Sequence, residues 1–149
     1  MKITKLFLVV FVLITVGVVV GTQSVASAQE ALLVKIHGVG DDALKGIFLN
    51  PETAYIKKDT IVVWLSGVKE QDVKVEFADG KKCKSVTAYS MGYYLDKERW
   101  CYVTSYVPFG ATSSLQFLDV GEYVYKVTTK EGNISATGRI IVEYTELES

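Results

Sequence analysis

The chain has 149 residues, 49% of them hydrophobic, and a formal net charge of −1. That is enough apolar material for one domain with its own core, and it excludes a disordered chain. The charge is close to neutral and the densest basic stretch is the short Lys81, Lys82, Lys84 turn, which together exclude a nucleic-acid binder.

At the N-terminus, Lys2 and Lys5 precede an apolar run from Leu6 to Gly21, and the small-residue triplet Ala26-Ser27-Ala28 follows. A charged start, an apolar run shorter than the ~20 residues of a spanning helix and an A-x-A site are the three parts of a secretory signal peptide. The expectation is a signal peptide over 1–28 and a mature domain over 29–149, exported to the periplasm or the extracellular space. A membrane role enters only if the leader stays uncleaved. Loss of Lys2 and Lys5 would move the net charge from −1 to −3, because all 17 acidic residues follow Ala28.

In an oxidising compartment the two cysteines, Cys83 and Cys101, have no competitor for one another. A disulfide is expected in preference to a thiolate metal site. Its 18-position separation corresponds to roughly 3 kcal/mol of chain-entropy stabilisation.

Beyond Ala28 the chain reads as short strands. Leu32, Val34 and Ile36 share one face of the first, which ends at Gly38-Val39-Gly40. Thr53 to Lys57 and Thr60 to Leu65 are rich in β-branched and aromatic residues and flank a turn at Lys58-Asp59, with Trp64 placed to fill the space between two sheets. Val73, Val75 and Phe77 alternate with Lys74 and Glu76, the pattern of a half-exposed strand. A long insertion follows, about 79–109, rich in aromatic residues and enclosed in part by the two cysteines. One reading makes it a satellite core with tyrosine hydroxyls at its rim. The other makes Tyr93, Tyr94 and Trp100 an exposed binding patch for a protein or a glycan. Ala111 to Phe117 returns to strand pattern, and Tyr123, Tyr125 and Val127 alternate with Val124, Lys126 and Thr128. Glu131-Gly132-Asn133 then turns the chain into a last strand that carries Ile140, Ile141 and Val142.

Two blocks, Phe48 to Phe77 and Ala111 to Val142, resemble the cupredoxins, the blue-copper fold. The first supplies Phe48, Pro51, Ile56, Lys57, Asp59, Thr60, Val62 and Trp64 against the family's F-x-P, K-x-G-D-T-V and a strand ending in W, with Lys58 where the family often has Gly. The second supplies Gly121, Tyr123, Tyr125, Gly138, Ile140 and Val142 of a G-x-Y-x-Y strand and a closing M-x-G-x-I-x-V strand. A G-x-Y-x-Y strand also closes immunoglobulin-like sandwiches. The resemblance implies an all-β, two-sheet Greek-key β-sandwich, cupredoxin-like, with a disulfide-closed aromatic insertion.

The family's copper-ligand positions fall on Gln71, Val127, Lys130 and Ala136. The resemblance therefore implies the scaffold without its type 1 copper centre, and no cofactor is expected. The single His37 likewise cannot supply two imidazoles. With no H-E-x-x-H, G-x-S-x-G or glycine-rich phosphate loop, the chain is not expected to be an enzyme. The expected function is that of an exported, non-catalytic protein-interaction or structural accessory module, its protein partner unidentified. Two alternatives remain open: a copper-binding protein with a non-standard site built on His37 with Met91 or carboxylates, and an immunoglobulin-like adhesin or glycan binder.

Overall fold

A computed structural model describes residues 29–39, 45–69, 71–77, 90–96 and 101–144. The leader over 1–28, Cys83 and Trp100 lie outside these residues.

The alternation of the sequence becomes an alternation of burial. In β1 (Ala31–Gly38) Val34 and Ile36 are buried, and in β2 (Ile47–Asn50) Ile47 and Leu49 are buried while Phe48 points out. The chain crosses to the opposite sheet through Pro51, and β3 (Thr53–Lys57) buries Ala54 and Ile56. β4 (Ile61–Gly67) buries Val62, Trp64 and Ser66, and β5 (Val73–Phe77) buries Val73, Val75 and Phe77. Three shorter strands come next, β6 (Ser90–Met91), β7 (Tyr93–Asp96) and β8 (Cys101–Thr104). The block ends with β9 (Thr112–Gln116), β10 (Gly121–Thr129) and β11 (Ser135–Glu143).

These strands form two sheets, one in the order β2-β1-β4-β9-β6 and the other in the order β3-β11-β10-β5-β8-β7. Pairing is antiparallel except for β1 with β4 and β3 with β11. The parallel pairs arise because β2 and β3, adjacent in sequence, are the edges of opposite sheets. The arrangement is an all-β two-sheet sandwich, as the motifs imply.

Trp64 sits at the centre of the core, fully buried. Its ring meets Phe77 at 5.7 Å, Tyr93 at 5.6 Å and Tyr125 at 5.4 Å, all edge-on, and Phe77 continues the chain of rings to Phe117 at 6.1 Å and on to Tyr123. These spacings and angles are those that aromatic quadrupoles favour.

The insertion builds no separate core in its described part. It lengthens both sheets, β6 along β9 and the β7–β8 hairpin along β5, and Tyr93 joins the main aromatic cluster. Cys101 is buried at the head of β8; its expected partner Cys83 is not among the described residues.

In the turn between β3 and β4 Lys58 takes no positive φ, and the left-handed residue is Asp59, at φ 68°. Asp59 is held there by three hydrogen bonds: its N–H donates to the Phe117 carbonyl at 2.8 Å, and its own carbonyl accepts from the Gln29 and Gln116 side-chain amides at 3.3 and 3.2 Å. An Asp tolerates this backbone region better than most side chains.

Candidate functional site

The four positions that correspond to copper ligands are brought to one end of the sandwich. Val127 on β10 lies directly across from Ala136 on β11 and from Val75 on β5, and is fully buried. Lys130 follows β10, its backbone N–H donating to the Asp72 carbonyl at 2.9 Å, which holds it beside the Gln71–Asp72 approach to β5. Gln71 Oε1 is buried without a hydrogen-bond partner.

The side chains do not fit copper. Val127 and Ala136 carry no donor atom, and Lys130 is an exposed cation whose Nζ lies 5.9 Å from the centre of the Tyr106 ring. Gln71 offers only a neutral amide oxygen, whereas copper of this type takes thiolate, imidazole and thioether donors. Among the described residues no group of three or more His, Cys, Asp or Glu side chains could hold a metal ion. Tyr106 and Phe109 stand half exposed at the same end.

The alternative copper donors are far apart. His37, on β1, stacks on Phe48 with ring centres 4.8 Å apart and planes 12° from parallel. Met91 is on β6, three strands away in the same sheet. At ~4.8 Å per strand that is about 14 Å across the sheet alone, too far for a shared ion.

The aromatic patch is not assembled as one surface. Tyr93 turns inward to Trp64, its hydroxyl buried, while Tyr94, next in the strand, is half exposed on the other face. Adjacent strand residues point to opposite sides, so the pair cannot present two coplanar rings. Trp100 lies outside the described residues.

A feature that sequence reasoning missed lies at the other end of the sandwich. Antiparallel pairing of β10 with β11 puts Val142 beside Gly121, remote from the Val127–Ala136 pair, and the parallel pairing of β3 with β11 brings Lys57 alongside Glu143. There the starts of β1 and β4 and the end of β3 surround an open cleft with Leu32 and Ile56 in its walls and Glu30, Lys57 and Glu143 around it. Thr60 also lines it. This residue is 3% exposed, and its Oγ1 has no hydrogen-bond partner. No sequence motif announces the cleft, because Glu30, Thr60 and Glu143 are brought together only by strand order.

No protein-family model matches the sequence, and no curated protein matches it. Solved structures that this chain matches include the reduced Cu(I) form at pH 4 of a point mutant of amicyanin, with TM-score 0.46 and 16% identity over 76% of this chain and 82% of that one. The oxidized state of another amicyanin mutant has TM-score 0.46 and 16% identity over 78% of this chain and 85% of that one. At these values the likeness carries no argument about this chain, and nothing of their copper chemistry passes to it.

Proposed function

We propose that this chain is an exported cupredoxin-like domain without a type 1 copper site, acting as a non-catalytic protein-interaction or structural accessory module. The observation that carries this reading is the Val127–Ala136 pair. The backbone of the metal end is built in register, and its interior is filled by packed apolar groups where donors would be needed. Lys130 adds an exposed positive charge at the same end, where a cation is disfavoured electrostatically. Export rests on the leader pattern over 1–28. The Cys83–Cys101 disulfide belongs to the same proposal and rests on the sequence argument that two cysteines in an oxidising compartment pair with one another.

The test is a titration of the purified protein with Cu²⁺ and with Cu⁺, followed by visible absorption and calorimetry. The expected result is no stoichiometric tight site and no intense thiolate-to-copper band. A tight site for either ion would overturn the reading.

A further inference from the structure

The loop between β10 and β11 carries a motif for which the fold itself has no use. Asn133-Ile134-Ser135 has the N-x-S/T spacing of an acceptor for an N-linked glycan, with a residue other than proline in the middle. The chain holds two asparagines, and the other, Asn50, is followed by Pro51 and Glu52 and forms no such triplet. Three residues match by chance often, and only a triplet that stands open on the folded surface can take a saccharide.

Asparagine is favoured in turns because it tolerates the left-handed backbone and because its side chain bonds nearby backbone groups. Neither reason applies at Asn133. The left-handed residue of this loop is Gly132, at φ 75°, while Asn133 takes no positive φ. The loop is shaped by the Gly132 N–H donating to the Thr129 carbonyl at 2.8 Å and by the Thr129 N–H donating to the Ile134 carbonyl at 3.0 Å. No hydrogen bond among the described residues uses the Asn133 side chain. Burial then sorts the triplet. Ile134 packs against the core, and Asn133 and Ser135 on either side of it are exposed, as are Lys130, Glu131 and Gly132. A Cβ added at Gly132 would meet no atom within 4 Å, so the space next to Asn133 is open. The middle residue anchors the loop, and the two residues that a transferase reads are left in solvent.

We propose that Asn133 is the attachment site of an N-linked glycan. The co-reactant is an oligosaccharide carried on a lipid diphosphate. Asn133 Nδ2 forms a bond to the anomeric carbon, the bond from that carbon to the diphosphate oxygen breaks with its electron pair staying on the diphosphate, and one amide proton is released. The proposal rests on the export reading above, since such donors and their transferases meet a chain as it is translocated. It deepens that reading by adding a modification at the end of the sandwich that holds Lys130.

The experiment is mass spectrometry of the protein recovered from the cells that make it, read as the intact chain and as its tryptic peptide Glu131–Arg139. The expected result is a saccharide on Asn133, with sugar fragment ions from that peptide, in chains that have lost the leader over 1–28. Asn133→Gln and Ser135→Ala are each expected to abolish the added mass, and Ser135→Thr to retain it. Both positions are exposed, so none of these changes is expected to unfold the chain. An unmodified Asn133 in chains that lack the leader overturns the proposal, as does added saccharide that survives Asn133→Gln. Chains that keep the leader and carry no saccharide count against the export reading and not against the site. In that case the purified full chain is offered to a single-subunit oligosaccharyltransferase with a polyprenyl-diphosphate-linked oligosaccharide. Transfer to Asn133 supports the site in the folded loop, and no transfer overturns it.

Discussion

Tyr123 and Tyr125 stand two residues apart on β10, and both bury their rings in the core. They differ at the hydroxyl. Tyr123 donates to the Asp119 carbonyl at 3.0 Å, four residues upstream, which fixes the turn that enters the strand in the manner of a tyrosine corner. The Tyr125 hydroxyl is buried beside the Trp64 indole and makes no hydrogen bond that satisfies it. Tyr123→Phe is therefore expected to lower stability by about 1 kcal/mol, and Tyr125→Phe to be near neutral or slightly stabilising. Urea unfolding of the two variants checks both values, and a larger loss at Tyr125 would show that its hydroxyl is satisfied. Burial also raises the pKa of both inward tyrosines, Tyr125 to about 12, with the Trp64 indole offsetting part of the effect, and Tyr93 in the same direction, with Ser113 offsetting part of it. The sign follows: the unfolded chain releases these phenolic protons near pH 10, while the folded Tyr125 keeps its own until about 12. Stability is thus fully present below pH ~10 and falls across the window to 12, with a slope of up to about 1.4 kcal/mol per pH unit for each tyrosine. Thermal unfolding between pH 8 and 12 reads this directly, and Tyr125→Phe should flatten the curve. The alternation of Tyr123 and Tyr125 marked them as core residues in the sequence. Their hydroxyl environments were not legible there, because one is set by a carbonyl in a turn and the other by a ring on the opposite sheet.

β1, β5 and β10 were legible from period-2 alternation, since one face of each is buried in a single core, whereas β9 buries Ser113, Ser114 and Leu115 in a row. The insertion was legible only as aromatic. Alternation tells which side of a strand is apolar and is silent on which sheet receives it, so Tyr93 could be read as part of a surface patch although it packs on Trp64. Gly138 shows a motif residue whose reason appears only in the sheet: it lies opposite Tyr125, and a Cβ there would collide with the phenol and with Leu49. At the junction of insertion and sandwich, the β5–β8 pairing shows a single register pair, Glu76 with Val103. The bond that ties β8 here is made by a side chain: Thr104 Oγ1 accepts the buried Val75 N–H at 2.8 Å. Thr104→Val keeps the shape and leaves that N–H without an acceptor, so a loss of about 1–3 kcal/mol is expected. Hydrogen exchange should show it as faster exchange at Val75 and in the β7–β8 hairpin, with the β10–β11 hairpin unchanged. Uniform loss of protection across both sheets would show instead that β8 is integral to the whole core.

At the scale of the whole molecule the two ends of the sandwich divide the labour of the argument. The end with Gln71, Val127, Lys130 and Ala136 was legible because the resemblance supplied a ligand pattern to compare with; the opposite cleft was not, because its lining comes from β1, β3, β4 and β11, distant in sequence and brought together by strand order. The insertion joins this frame through β6, β8 and Tyr93, and the proposed Cys83–Cys101 bond would close it on itself. Cys101 is fully buried at the head of β8, where an unpaired polar replacement would be costly, so the informative variant is Cys83→Ala together with Cys101→Ala. Closing a loop of 18 positions restricts the unfolded chain by roughly 3 kcal/mol. For a domain of this size that corresponds to a fall in midpoint of roughly 10 °C when the bond is absent. Scanning calorimetry with and without a thiol reductant should show that fall in the unaltered protein and none in the double variant, because only the unaltered protein has a bond to lose. A reductant-insensitive midpoint in the unaltered protein would remove the bond from the proposal, leaving the packing of Cys101 in the core and the Thr104 hydrogen bond to hold the insertion on the sheet.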